Sequence, residues 1–201
     1  MTRALLSVFA ICVFSFSYAQ GNINFGAKAG LNLATLTGDA EADMKAGFHI
    51  GGMAEISINE KFSVQPELLF SAQGAQEDIT FDNGAGDQTE NLKYNFSYIN
   101  LPVMAKYYVT EALSLEAGPQ IGFLVDSKVK AAGETVDAED LLGDLSTIDF
   151  GLNFGFGYKL DSGLNFSARY NLGLSNISDD SNSDAEVKNS VFQFSIGYFF
   201  N

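Results

Sequence analysis

Val191-Phe192-Gln193-Phe194-Ser195-Ile196-Gly197-Tyr198-Phe199-Phe200 is the stretch of this 201-residue chain whose reading decides the fold. Successive side chains of a strand point to opposite faces. Phe192, Phe194, Ile196, Tyr198 and Phe200 therefore share one face, and Gln193, Ser195 and Gly197 share the other. The second face is bare for a protein core. Large apolar groups backed by small or polar ones suit a strand with hydrocarbon outside and a crowded polar interior inside.

The pattern recurs upstream. Ile23, Phe25, Ala27, Ala29, Leu31 and Leu33 oppose Asn24, Gly26, Lys28, Gly30 and Asn32. Phe48, Ile50, Gly52, Ala54, Ile56 and Ile58 oppose His49, Gly51, Met53, Glu55 and Ser57. Phe62, Val64, Pro66, Leu68 and Phe70 oppose Ser63, Gln65, Glu67 and Ser71. Further along, Leu113, Leu115, Ala117, Pro119, Ile121 and Phe123 oppose Ser114, Glu116, Gly118, Gln120 and Gly122. Ile148, Phe150, Leu152, Phe154, Phe156 and Tyr158 oppose Asp149, Gly151, Asn153, Gly155, Gly157 and Lys159. Leu164, Phe166, Ala168, Tyr170, Leu172 and Leu174 oppose Asn165, Ser167, Arg169, Asn171 and Gly173. One strand changes phase: Tyr94, Phe96 and Tyr98 share a face, yet Ile99, Leu101, Val103, Ala105 and Tyr107 continue the apolar side one residue out of step. A bulge between Tyr98 and Asn100 is expected there, beside Pro102.

Connection lengths alternate independently of hydropathy. Asn59-Glu60-Lys61, Thr110-Glu111-Ala112 and Asp161-Ser162-Gly163 are short turns. Residues 37–45, 77–90, 127–146 and 176–187 are long and rich in Asp, Glu, Gly, Asn and Ser. Short periplasmic turns alternating with longer extracellular loops are the outer-membrane pattern. The expected fold is all-β, an eight-stranded antiparallel up-and-down transmembrane β-barrel with both termini in the periplasm. A soluble barrel of lipocalin type would turn the apolar face inward instead. Its outer surface, formed by the glycine-rich polar face, would be poor in charge for its area.

The amino terminus fits export. Arg3 precedes an apolar run over residues 4–16, and Ser17-Tyr18-Ala19 supplies small residues for a signal peptidase. Residues 1–19 are expected to be a cleaved signal peptide and residues 20–201 the outer-membrane barrel domain. The single cysteine, Cys12, lies in the signal behind Ile11, which argues against lipidation and leaves the barrel without a thiol. Loss of Arg3 moves the formal charge from −14 to −15, an acidity unlike that of nucleic-acid-binding proteins. Phe occurs 18 times and Gly 20 times, as strands around a narrow interior require, and Trp is absent.

Six segments also resemble a family. Gly26-Ala27-Lys28-Ala29-Gly30-Leu31-Asn32, Gln65-Pro66-Glu67-Leu68-Leu69-Phe70 and Tyr98-Ile99-Asn100-Leu101-Pro102-Val103 are three of them. Ala117-Gly118-Pro119-Gln120-Ile121-Gly122, Gly155-Phe156-Gly157-Tyr158 and Ala168-Arg169-Tyr170-Asn171-Leu172-Gly173-Leu174-Ser175-Asn176 complete the set. In order and over nearly the whole barrel, they resemble the PorT-like outer-membrane β-barrel family of Bacteroidota-type bacteria. The resemblance implies the barrel fold. It carries no catalytic motif, because that family joins a secretion and gliding component to barrels of no assigned role.

His49, the only histidine, is expected to face the interior and to be hydrogen-bonded there rather than to serve a hydrolase. Glu55, Glu67 and Glu116 beside Lys28, Lys106 and Arg169 have the residue types of acid–base chemistry, but a charged interior must pair its charges anyway. Glu134, Asp137, Glu139, Asp140 and Asp144 crowd one connection, and Asp179, Asp180, Asp184 and Glu186 another. They are suited to divalent cations or to bridging phosphorylated lipopolysaccharide, although none has the spacing of a calcium loop. Asp82-Asn83-Gly84-Ala85-Gly86-Asp87 lacks it too, and Gly151, Gly155 and Gly157 are strand positions rather than a phosphate cradle. The expectation is a non-enzymatic, monomeric envelope barrel of the cell outer membrane, without cofactor, metal centre or catalytic residue. Its partners would be membrane lipid, lipopolysaccharide and an extracellular partner or cations at the acidic loops. A narrow porin-like channel is the alternative, and a hydrolase the distant one.

Overall fold

In the computed structural model, residues 23–39, 42–82, 87–131, 134–138, 140, 143, 145–177 and 186–200 are described. They form β1 (Ile23–Gly38), β2 (Asp43–Ser57), β3 (Phe62–Asp82), β4 (Asp87–Tyr108), β5 (Leu113–Ala131), β6 (Glu134–Asp137), β7 (Ile148–Lys159), β8 (Leu164–Gly173) and β9 (Val187–Phe200). Eight of these pair antiparallel in the order β1-β2-β3-β4-β5-β7-β8-β9, and β9 returns to β1. The seam runs from Phe25 opposite Phe200 to Gly38 opposite Val187. Closure leaves the ring no open edge, which hydrocarbon demands of any strand that crosses it. The short β6 lies outside the ring, paired to β5 alone among the described residues.

The three short turns are built alike. Ile58 N donates to Phe62 O, Val109 N to Leu113 O and Leu160 N to Leu164 O, each at 2.8 Å. Asn59 Oδ1 accepts from Lys61 N and Phe62 N, and Thr110 Oγ1 accepts from Ala112 N and Leu113 N. Side chains that bond forward to the backbone are why Asn and Thr open these turns.

The ring is apolar outside and polar inside. Leu31, Phe154 and Phe194 are 63%, 47% and 50% exposed, whereas their neighbours Asn32, Asn153 and Gln193 are 0%, 1% and 2% exposed. That inversion of the soluble-protein rule identifies a lipid-facing exterior. Tilted aromatic pairs lie on this face, Tyr170 against Phe192 at 4.6 Å and Phe62 against Tyr107 at 5.0 Å.

Two expectations are corrected. Phe96 and Tyr98 point inward and are buried, in unbroken alternation with the inward Asn100, Met104 and Lys106. The phase change belongs to β5. Ser97 faces Asp126 and Tyr98 faces Leu124, so Val125 is the extra residue of a bulge. Leu124 and Val129 then both face inward although their numbers differ in parity. The aromatic face of β4 turns in to join Leu36, Ala75, Val129 and Ile177 in an apolar core at the long-connection end. The second correction concerns residues 77–90, expected as a loop. Here β3 and β4 remain laddered from Glu77 opposite Leu92 to Asp82 opposite Asp87. Asn91 Nδ2 donates to Asp78 Oδ1 at 2.7 Å on this extension. Residues 77–80 are all exposed, so backbone pairing continues there without alternation. Likewise β5 and β6 make a hairpin inside the connection expected over residues 127–146.

Candidate functional site

The interior contains one chain of alternating charge, assembled from seven of the eight ring strands. Lys28 Nζ of β1 lies 3.2 Å from Glu67 Oε2 of β3. Glu67 Oε1 meets Arg169 Nη1 of β8 at 2.8 Å, and Arg169 Nε meets Glu116 Oε2 of β5 at 2.7 Å. Glu116 continues to Lys106 of β4 at 3.4 Å, Lys106 to Glu55 of β2 at 3.8 Å, and Glu55 to Lys159 of β7 at 3.2 Å. Each glutamate thus touches two cations. Gln65 supports two links, its Nε2 donating to Glu67 at 2.6 Å and its Oε1 accepting from Lys106 at 3.0 Å. Tyr108 donates its hydroxyl to Glu55, and Phe199 offers its ring to Lys159 at 4.5 Å. With opposite charges and hydrogen bonds on every member, the desolvation of buried ions is offset.

His49 sits beside this chain. Asn32 Nδ2 donates to Phe48 O at 3.0 Å, Ser71 Oγ at 2.9 Å and Ala72 O at 2.9 Å, which leaves Oδ1 facing His49 Nδ1 at 2.8 Å. Nδ1 therefore carries the proton and Nε2 accepts from Ser195 Oγ at 2.8 Å. Gly30 makes the space, since a Cβ there would lie 2.7 Å from His49 Cε1. Amide, imidazole and hydroxyl stand in the order that activates a serine. Ser195 is buried inside the ring, so a substrate has no approach to it in this packing.

The two ends differ. Towards the long connections, Leu36, Ala75, Phe96, Tyr98, Val129, Ala138 and Ile177 form an apolar cluster across the interior. At the short-turn end a cavity of about 880 Å³ opens, floored by Glu55, Ser63, Tyr108 and Lys159 and rimmed by Lys61 and Asp161. Outside the membrane, burial and the charge of Glu77 push the Tyr94 phenol upward. Burial, helped by Lys93, lowers Lys45, whose Nζ donates to Gln73 O.

Of the acidic connections, Glu134, Asp137 and Asp140 are exposed, and Glu186 pairs with Lys188 at 2.6 Å. Glu139, Asp144, Asp179, Asp180 and Asp184 lie outside the described residues, as does the expected signal peptide over residues 1–19. Among the described residues, no three His, Cys, Asp or Glu side chains gather where they would hold a metal ion. Most pairing partners within the lumen were not readable from the sequence, because they sit on different strands and lie up to 161 residues apart.

A family model described as outer membrane protein beta-barrel domain matches residues 18–179. The chain belongs to that family. The assignment supports residence in the outer membrane. No curated protein sequence matches the chain. Among solved structures, Neisserial surface protein A aligns with a TM-score of 0.58 at 12% identity, over 88% of this chain and 97% of that one. Ail, the attachment invasion locus protein of Yersinia pestis, gives 0.47 at 14% identity over 89% and 99%. OprG of Pseudomonas aeruginosa gives 0.43 at 14% identity over 89% and 96%. The first supports the fold alone, and the other two are too distant in shape to add weight.

Proposed function

We propose that this chain is a closed, non-enzymatic envelope barrel that acts through its long connections rather than through its lumen. The observation that carries this reading is the filled interior. An ion chain spans its middle, and the apolar cluster of Leu36, Phe96, Tyr98, Val129 and Ile177 covers its long-loop end. An eight-stranded barrel leaves an interior just wide enough for side chains. On this reading residues 1–19 are an export signal removed after Ala19, residues 20–201 are the barrel, and the protein is a monomer of the PorT-like group. The acidic connections meet divalent cations, phosphorylated lipopolysaccharide or an extracellular protein.

The cavity at the short-turn end favours a second reading, a narrow channel, because it leads inward to Glu55 and Lys159. A hydrolase built on His49 and Ser195 is the remote third. The test of the proposal is binding to lipopolysaccharide-containing vesicles with and without magnesium. Charge-neutralising replacements at Glu134, Asp137, Asp140 and Glu186 are expected to weaken binding while the barrel still folds. Unchanged binding in that variant would remove the connections from the function.

A further inference from the structure

The ion chain of the lumen does not balance. Four cations, Lys28, Arg169, Lys106 and Lys159, meet three carboxylates, Glu67, Glu116 and Glu55, which leaves one positive charge in excess. The remaining buried carboxylate, Asp149, forms no ion pair with any described residue and accepts from Ser175 instead. It cannot neutralise the excess at Lys159, which stands ten residues further along β7, about 33 Å away at a rise of about 3.3 Å per residue. Lys28 and Lys159 end the chain, each touching one glutamate. Lys28 is sealed in, with 2% of its side chain exposed. Lys159 is not: 27% of its side chain is exposed, and it lines the cavity at the short-turn end.

The same cavity holds donors without partners. An ammonium carries three, and Lys159 Nζ gives one to Glu55 Oε2. Ser57 and Ser63 are cross-strand neighbours on β2 and β3, and both line the cavity. Ser63 is 3% exposed, yet no described residue hydrogen-bonds its hydroxyl or that of Ser57. A buried hydroxyl left unbonded is costly, so this corner of the cavity is completed by an acceptor from outside the chain. An ammonium beside two hydroxyls suits a carboxylate. The rim has the opposite character, with exposed Glu60, Glu111 and Asp161 against Lys61 alone, and none of those three carboxylates pairs with Lys159. Such a rim repels a multiply charged anion and accepts an ammonium group. The volume, about 880 Å³, is that of a small-molecule site.

We propose that this cavity binds a small zwitterion, its carboxylate on Lys159 and the hydroxyls of Ser57 and Ser63, its ammonium group towards Glu60, Glu111 and Asp161. The site lies at the opposite end of the barrel from the acidic connections. It needs no conducting lumen, because the ion chain closes the cavity from within.

Three probes of one length separate the charges: γ-aminobutyrate, butyrate and butylamine. Each is titrated into the isotope-labelled full chain, refolded in detergent micelles, while amide resonances are followed by NMR. γ-Aminobutyrate is expected to give saturable shifts at Ser57, Ser63 and Lys159, and the other two probes to bind more weakly. Lys159→Gln should weaken γ-aminobutyrate by about tenfold, the value of one hydrogen bond to a charged group. Ser63→Ala, a smaller change, should weaken it in the same direction, and heat-modifiability shows whether each variant keeps its barrel. Joint replacement of Glu60→Gln, Glu111→Gln and Asp161→Asn should remove the preference for γ-aminobutyrate over butyrate. Affinity unchanged by both Lys159→Gln and Ser63→Ala in folded barrels would overturn the site. Equal binding of butyrate and γ-aminobutyrate by the wild type would overturn it as a zwitterion site, and equal shifts with sodium chloride would mean an adventitious ion only.

Discussion

Arg169 and Glu116 meet inside the barrel at 2.7 Å between Nε and Oε2, bringing together β8 and β5, which are not adjacent in the ring. The same guanidinium reaches Glu67 of β3 at 2.8 Å. One side chain thus ties three strands through the lumen. Backbone ladders close the ring, but this contact fixes which interior groups face each other.

Removing Arg169 should therefore be severe. Arg169→Met strands Glu67 and Glu116 with one cation each in a dry interior, where loss of a buried partner costs about 3–5 kcal/mol. Urea unfolding in detergent micelles, followed by the heat-dependent gel shift, should show a loss of that size. Adding Glu116→Leu to Arg169→Met should recover part of it, and strictly additive losses would mean that the two side chains do not cooperate.

Lipid-facing positions should respond differently from lumen positions. Phe154 and Leu172 are both on the exposed face, whereas Asn153 is buried. Phe154→Arg or Leu172→Arg should cost about 2–4 kcal/mol in a bilayer if near its midplane. Asn153→Arg should instead disturb the hydrogen bonds to Gln120 and Asn171. Unfolding in lipid vesicles separates these outcomes, and negligible losses at Phe154 and Leu172 would mean that the faces are inverted.

The apolar cluster is expected to behave as a core outside the membrane. Phe96→Ala removes a buried ring packed near Tyr98 and Val129 and should cost about 3–5 kcal/mol. Proteolysis of intact cells should then cut the β3–β4 extension faster, while the gel-shift signature of the membrane-spanning ring persists. Equal cutting rates would show that the cluster does not hold the extension.

Topology can be read by chemical labelling. Cysteine at Glu134 should react with an impermeant maleimide on whole cells, and cysteine at Glu60 or Ser162, in short turns at the opposite end, should not. The reverse pattern would invert the barrel in the membrane.

How much of this was visible in the sequence follows from where water and lipid act. The alternation in Phe192-Gln193-Phe194-Ser195-Ile196 is imposed by lipid on one side and lumen on the other, so the eight ring strands were legible, and so were their faces outside the Tyr94 to Tyr98 stretch of β4. The extension of β3 and β4 past Glu77 was not, because residues 77–80 are all exposed and leave no period to read. Val125 was missed for a related reason. Tyr94, Phe96 and Tyr98 signalled a change of environment, which the sequence shows as a change of phase and which the structure resolves by bulging the neighbouring strand. His49 was recognisable as an interior residue, yet its bonds to Asn32 and Ser195 depend on register across three strands. The isolation of Asp149 was equally hidden, since every lumen carboxylate looks alike until its neighbours are placed.

Single-channel recording in planar bilayers tests the central claim of a closed lumen most directly. The wild type should show no steady conductance. A variant with residues 127–146 and 176–187 shortened to tight turns should also stay silent, although it loses Val129, Ala138 and Ile177 from the apolar cluster. Loop closure depends weakly on length, so this variant is expected to fold. The ion chain from Lys28 to Lys159 would remain and block the path. A steady conductance in either protein, selective for one sign of ion and altered by Arg169→Met, would show that the lumen is a pore and contradict the account.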